Sequence, residues 1–195
     1  MVKRHAVLGI IVALVISIAA IGCSDGGSSG PTPQPQTATP TGQATQQPTS
    51  EPTATQVSNE VATATSLDFT VEYVIEGQGD STWRYRARNI GTSDLDIRID
   101  YSIQGVGEYI YILSGSSQEG WMYAGGQWMS YTQAGMSFND YWDMWAEGFE
   151  EYHAALVEDW TGVQGWTYTV PGLGSVTYTD IDVNPSLSDS VFQPN

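Results

Sequence analysis

Cysteine, histidine and positive charge are scarce in this sequence. The 195 residues include one cysteine, two histidines and six lysines and arginines, against 22 aspartates and glutamates. One cysteine cannot form an intramolecular disulfide, so the folded part must be held together by its core. The formal net charge of −16 argues against nucleic acid as a partner, because nucleic-acid binding depends on clustered lysine and arginine.

The first 22 residues have the composition of an export signal. Lys3 and Arg4 form a basic start, and a long apolar run without charge follows. The run ends in Ala20-Ile21-Gly22-Cys23, which resembles the lipobox of bacterial lipoproteins. The resemblance implies that residues 1–22 are removed as a lipoprotein signal peptide and that Cys23 is diacylated. We therefore expect the protein at the extracytoplasmic face of the cell envelope, attached to a membrane through its lipid. An uncleaved anchor helix is the alternative.

A segment rich in Thr, Pro, Gln and Ser occupies residues 24–65 and contains no aromatic residue. Such a segment buries too little apolar surface to offset the entropy cost of ordering it. We therefore predict a disordered linker over residues 23–65, which begins with the lipidated cysteine, and one folded domain over residues 66–195.

The folded domain is predicted to be mainly β. Apolar and polar residues alternate in most of it, as at Leu67, Phe69 and Val71, which is the pattern of a strand with one buried face. The predicted strands cover residues 67–76, 81–88, 95–104, 107–114, 119–124, 127–132, 165–170 and 175–183. Short turns join most of them, which favours about eight antiparallel strands. In the last strand the apolar set changes phase, which predicts a bulge near Asp180.

Four arginines remain after the signal, namely Arg84, Arg86, Arg88 and Arg98. They fall on the polar faces of two neighbouring predicted strands, beside a similar number of carboxylates. This arrangement favours ion pairs between the strands. An anion site formed by the first three arginines is the alternative.

One segment has helical periodicity instead. Between residues 137 and 160, large apolar residues recur at steps of three and four with acidic residues between them. This pattern predicts an amphipathic helix that must bury an aromatic stripe. Ser137 followed by Asp140 resembles a capping box and predicts the start of the helix. His153 is expected on the exposed side of the helix.

The order of opening hairpins, a helix and a closing strand resembles the lipoprotein-carrier superfamily of envelope proteins. The resemblance rests on YIYILSGSSQEGWMY at 109–123 and VTYTDIDVNPSLSDSVFQP at 176–194. It implies a curved, half-open antiparallel β-barrel with a covering helix; a β-sandwich is the alternative fold. It also implies that an acyl chain, a lipid or a lipidated partner protein binds between sheet and helix. The candidate lining residues, each of which would otherwise be ordinary core, are Tyr85, Tyr101, Tyr111, Trp142, Trp145 and Phe149.

Aromatic residues around Gly125-Gly126 support a second interpretation. If Trp121, Trp128 and Tyr131 are exposed, they would stack on sugar rings or on a partner protein, and the Thr/Pro-rich linker would suit a displayed domain. The direction of the tryptophans separates the two interpretations, because helix tryptophans that face a cavity favour lipid binding, whereas an exposed tryptophan row favours surface recognition. A third interpretation is a structural or sensor subunit without a ligand.

Catalytic and metal-binding patterns find no support in the sequence. His153 is the only histidine after the signal, and no nucleophile motif accompanies it. Asp94, Asp96 and Asp100 do not have the spacing of a calcium loop, and zinc would require more histidine or cysteine. We therefore predict no enzyme activity, no metal and no cofactor, and no pattern indicates an oligomeric state.

Overall fold

A computed structural model describes residues 54–75, 79–170 and 174–195. The predicted signal peptide, Cys23 and the predicted linker up to residue 53 lie outside the described residues. Two α-helices are present in the described part, α1 (Ala54–Ala62) and α2 (Phe138–Asp159), together with a short 3-10 helix, Asp189–Phe192. The strands are β1 (Ser66–Ile75), β2 (Gly79–Arg88), β3 (Asp96–Ile103), β4 (Gly107–Ser114), β5 (Glu119–Ala124), β6 (Gln127–Ser130), β7 (Trp166–Val170) and β8 (Gly174–Val183).

The eight strands form one antiparallel sheet in the order β6-β5-β4-β3-β2-β1-β8-β7. Strands β6 and β7 are the two edges, so the sheet is open rather than closed into a barrel. The prediction of a mainly β fold, with a half-open antiparallel sheet and a covering helix, is confirmed. The alternative of a β-sandwich is wrong, because the described strands belong to a single sheet.

One face of the sheet carries the core. Alternate positions of the central strands point to this inner face, where Phe69 stacks on Tyr85 with 5.4 Å between ring centroids and Trp83 contacts Tyr101 at 4.2 Å. Helix α2 covers these rings with Trp145, Phe149, Tyr152 and Leu156, which recur at steps of three and four as the periodicity predicts.

Helix α2 begins where its sequence predicts. The side chain of Ser137 accepts a hydrogen bond from the backbone N–H of Asp140, which satisfies one of the free N–H groups of the first turn. The helix runs for 22 residues. No helix in the described ranges is long and apolar enough to cross a membrane.

Helix α1 falls inside the stretch predicted as linker. Val57 and Val61 are buried in the core, the Ser58 hydroxyl donates to the carbonyl of Val157 at 2.6 Å, and His153 Nε2 lies 2.9 Å from the carbonyl oxygen of Val61. His153 is therefore half-buried between the two helices rather than on an exposed side. The predicted linker overlaps this helix, because apolar residues four positions apart are enough to build one buried turn on an existing core.

The bulge predicted near Asp180 is present. On β1, Asp68 pairs with Asp182 and Thr70 with Thr179, so β8 holds one residue more than β1 between the two pairs. Asp180 adopts a φ of 51°, in the left-handed region that Asp tolerates better than most residues. Because of the bulge, Ile181 is buried on the same side of β8 as Tyr178, although the two residues are three positions apart.

Candidate binding groove on the outer face of the sheet

The outer face of the sheet carries ion pairs between strands. Arg84 pairs with Asp68 at 2.8 Å and Arg88 with Asp96 at 2.9 Å, and Asp100 pairs with both Arg86 and Arg98. The prediction of cross-strand ion pairing is confirmed. The alternative of an anion site is disfavoured, because each of its three arginines already faces a carboxylate.

Residues 184–195, which we call the closing segment, lie across this outer face. Arg98 donates to the carbonyl of Val191 at 3.0 Å, and the Arg88 guanidinium lies 4.5 Å from the centroid of the Phe192 ring and pairs with Asp189. At the far end, Trp128 Nε1 donates to the backbone oxygen of Asn195 at 2.7 Å. The closing segment therefore reaches from β8 to β6 and is fixed to several strands.

A groove of about 260 Å³ lies between the closing segment and the outer face of the sheet. Its apolar lining includes Ile112, which is 1% exposed, and the side chains of Trp121 and Phe192. Its polar lining supplies hydroxyl, amide and charged groups. The full set is Arg88, Asp96, Ile112, Ser114, Ser116, Ser117, Glu119, Trp121, Asp189, Phe192, Gln193 and Pro194.

Asp96 is the most unusual polar group of the groove. It is 5% exposed, and its Oδ2 accepts from Arg88 Nε at 2.9 Å, but its Oδ1 has no hydrogen-bond partner among the residues that the structure describes. A buried carboxylate oxygen without a partner is costly. The same oxygen has almost no accessible surface, so the surrounding protein encloses it and it does not face the groove as an open acceptor.

Among the described residues that line the groove, Arg88 alone carries a positive charge. Burial by itself lowers its pKa, and hydrogen bonds to Asp189 and Asp96 outweigh that effect, so that the pKa lies above its ordinary value. The guanidinium is therefore charged at every pH at which the protein is folded. Three carboxylates, those of Asp96, Glu119 and Asp189, oppose this one charge, which leaves the groove net negative.

A row of aromatic residues continues from the groove along β5 and β6. Trp121 and Tyr123 are two residues apart on β5 and so share the outer face, and Tyr123 pairs with Trp128 across the strands. The Tyr123 and Trp128 rings lie 5.4 Å apart between centroids, and all three side chains are half-buried. We call Trp121, Tyr123 and Trp128 the aromatic row.

The expectation that Tyr131 belongs to this exposed set is wrong. Tyr131 is 2% exposed on the inner face, where it lies against Gly120. Its backbone N–H continues the strand ladder to the Gly120 carbonyl at 2.9 Å. Because side chains alternate along a strand, Tyr131 and Trp128 point to opposite faces.

The lipid-cavity candidates lie in the core between sheet and helix. Trp145 is 2% exposed and its ring centroid is 4.7 Å from that of Tyr111. Tyr85, Tyr101, Tyr111 and Phe149 are also buried, and burial raises the pKa of all three tyrosines. Trp142 is half-buried and stacks on Phe138 with 5.5 Å between centroids. The structure therefore brings Trp145 and Tyr111 into contact and places Trp142 nearer the start of the helix.

Three polar atoms in this core have no hydrogen-bond partner in the described part of the chain. They are the hydroxyls of Tyr85 and Tyr131 and the indole N–H of Trp145. Buried polar atoms in proteins usually bind a protein group or an ordered water.

Comparison with protein-family models, curated proteins and solved structures gives no match to this chain. Among the described residues, no group of histidine, cysteine, aspartate and glutamate side chains is arranged to hold a metal ion.

Sequence patterns did not reveal most of the groove. Trp121 was a candidate, but Asp96, Phe192 and Asp189 were not. They meet only because the closing segment returns over β3 and β4, and no local spacing encodes that return. The sequence did show arginines and aspartates concentrated on two neighbouring strands. That pattern indicates the polar face of the sheet on which the groove lies, but not the groove itself.

Proposed function

We propose that this protein is a membrane-anchored binding protein, not an enzyme, whose extracytoplasmic domain recognises a neutral carbohydrate in the groove on the outer face of its sheet. The observation that carries the proposal is that the Trp121 ring lines the same groove as the side chains of Ser114, Ser116, Ser117 and Glu119. A sugar has both groups that such a groove requires, an apolar C–H face and hydroxyl donors.

The charge of the groove disfavours an anionic ligand. Three carboxylates against one arginine repel anions, and the net charge of −16 for the whole chain adds to that effect. The hydroxyls of Ser114, Ser116 and Ser117 both donate and accept hydrogen bonds, as sugar hydroxyls do. An apolar surface with a few polar groups that fix orientation is the usual composition of a small-ligand site.

The proposed anchor and linker agree with such a role. With Cys23 acylated, two acyl chains would hold the protein stably on a membrane. Residues 24–53, as the flexible chain that their composition predicts, would span roughly 30 Å. The domain would then meet ligands at a distance from the lipid surface.

Glycan-array binding tests this proposal. The full lipidated protein, reconstituted in phospholipid nanodiscs, is applied to an array of neutral, acidic and amino glycans, with empty nanodiscs as the blank. We expect binding to neutral glycans, weakened about tenfold, or 1.4 kcal/mol, by Trp121→Ala and by Glu119→Gln. Val163→Ala, at an exposed valine outside the groove, is the control and should bind normally. Binding to acidic glycans alone, or to none, would contradict the proposal.

A second candidate function is to hold a hydrophobic ligand, such as an acyl chain or a lipidated partner, between the sheet and α2. The aromatic layer between the sheet and α2, where Trp145 packs on Tyr111, favours it, as does the resemblance to lipoprotein carriers. Because the surrounding rings are in contact with one another, binding would require α2 to move away from the sheet.

Native mass spectrometry separates this candidate from the first. Acyl-lipid adducts on the protein that survive release from nanodiscs, and that Trp145→Phe weakens by removing the indole N–H, would support a lipid site. A bare protein mass with an intact circular dichroism spectrum would contradict it. The result is independent of glycan binding, because the two sites lie on opposite faces of the sheet.

A further inference from the structure

The aromatic row extends beyond the groove. Trp121 lines the groove, and Tyr123 follows it two residues later on the same face of β5, about 7 Å further along the strand. Trp128 stands opposite Tyr123 on β6, and their rings are 5.4 Å apart between centroids with planes inclined by 54°. The pair forms a second aromatic surface beside the first.

The closing segment joins these two surfaces. Pro194 lines the groove, and the next residue, Asn195, accepts the hydrogen bond of the Trp128 indole at 2.7 Å. The same short stretch of chain therefore borders the groove and fixes the ring at the end of the row. A ring that is held before binding loses less conformational entropy when a ligand stacks on it.

The far end of the row is open. The hairpin turn beyond Tyr123 is Gly125-Gly126, with φ values of 59° and 84°, which glycine adopts without strain. A Cβ at either position would meet no atom within 4 Å. No charged residue occurs between Trp121 and Trp128, so this stretch adds neither charge nor, at its glycine turn, side-chain bulk to the surface.

We infer that the binding site has at least two subsites, the groove at Trp121 and the Tyr123–Trp128 pair, and that its ligand is a chain of neutral sugars rather than a single sugar. The inference rests on the proposed function of the groove. One sugar unit occupies the groove, and units further along the chain lie over the pair toward the glycine turn.

The inference is tested by the dependence of affinity on chain length. The full protein in nanodiscs is titrated with disaccharides and hexasaccharides of the cello, manno, xylo, chito and malto series. We expect a hexasaccharide to bind at least about tenfold more tightly than the disaccharide of its series. Trp121→Ala should weaken both, whereas Tyr123→Ala should weaken the hexasaccharide more than the disaccharide and so reduce the gain with length.

Tyr123→Ala is the decisive variant, because Tyr123 has no hydrogen bond to the closing segment in the described contacts. Trp128→Ala removes a ring and also the bond to Asn195, so a loss of disaccharide binding in that variant alone would indicate a disturbed groove. Equal affinity for disaccharide and hexasaccharide, or no effect of Tyr123→Ala on the longer ligand, would overturn the inference and leave the proposed function intact. Failure of every series at both lengths would overturn both.

Discussion

Gly120 and Tyr131 form a contact that a single methyl group should disrupt. Gly120 lies on β5 and faces the core, where a Cβ would be 2.2 and 2.3 Å from Cδ2 and Cε2 of the Tyr131 ring. The ring is 2% exposed and packs against Tyr141 with 4.9 Å between centroids. It is therefore not free to turn away, and Gly120→Ala must displace it or bend β5.

The expected cost follows from overpacking. An extra methyl in a well-packed core destabilises by about 1–3 kcal/mol, and the small gain of about 0.4–1 kcal/mol that Gly→Ala brings by restricting the unfolded chain does not offset a clash of this severity. We expect Gly120→Ala to lower the free energy of unfolding by about 2–3 kcal/mol. Gly125→Ala has open space but a φ of 59°, so it should cost about 1–2 kcal/mol.

Urea unfolding followed by tryptophan fluorescence measures both changes, and a double-mutant cycle isolates the clash. Tyr131→Ala alone should cost about 3–5 kcal/mol. In the double variant with Gly120→Ala the clash is absent, so the combined cost should be about 2 kcal/mol less than the sum of the two single costs. The Gly125→Ala change should add to Tyr131→Ala without coupling. Additive behaviour of Gly120→Ala with Tyr131→Ala would refute the reasoning.

Three further predictions concern the pH response, α1 and the closing segment. Burial raises the pKa of Tyr85 and Tyr131, so their contribution to stability is full below the unfolded pKa of about 10 and falls above it by about 1.4 kcal/mol per pH unit for each group. The chain has 11 tyrosines, so the share of tyrosinate absorbance that is lost in Tyr85→Phe and in Tyr131→Phe is the quantity to follow. That share should appear only together with loss of the circular dichroism signal, and its appearance in a folded protein would contradict this. Val61→Asp should lower the thermal midpoint sharply because it buries a charge at a position with 0% exposure, whereas Glu60→Ala, at an exposed neighbour, should change the unfolding free energy by less than about 0.5 kcal/mol. Arg98→Met should speed amide hydrogen exchange in residues 188–195, because it removes the bond to Val191; unchanged exchange there would show that other contacts hold the segment.

Strong local patterns predicted most of the fold. The strand alternation at Phe69 and Tyr85, the helical spacing of Trp145 and Phe149, and the cap at Ser137 each follow from chemistry within a few residues of sequence. These residues take the positions that their patterns predict, because burial of one apolar face agrees with the local backbone preference in each case.

Long-range contacts account for what the sequence did not predict. Helix α1 has only Val57 and Val61 as its apolar signal within a Thr-rich stretch, and it is stable because α2 lies beneath it. Tyr131 was grouped with Trp128 by its nearness to the Gly125-Gly126 turn, although residues three apart on a strand lie on opposite faces. The role of Asp96 depends on a segment that begins about 90 residues later in the chain, with the last residues of the closing segment completing the groove.

The position of β1 also determines the order in which the domain can fold. Strands β1 to β6 follow one another as neighbours in the sheet, so each can pair with the preceding one as soon as it is available. Strand β8 instead completes the other side of β1, where Thr70 meets Asp180 across 110 residues of chain, and distant contacts of this kind form slowly. Because the closing segment follows β8, the groove is the last part of the domain to assemble. A chain that is cut or stalled before β8 would therefore retain most of its hairpins and lack the groove.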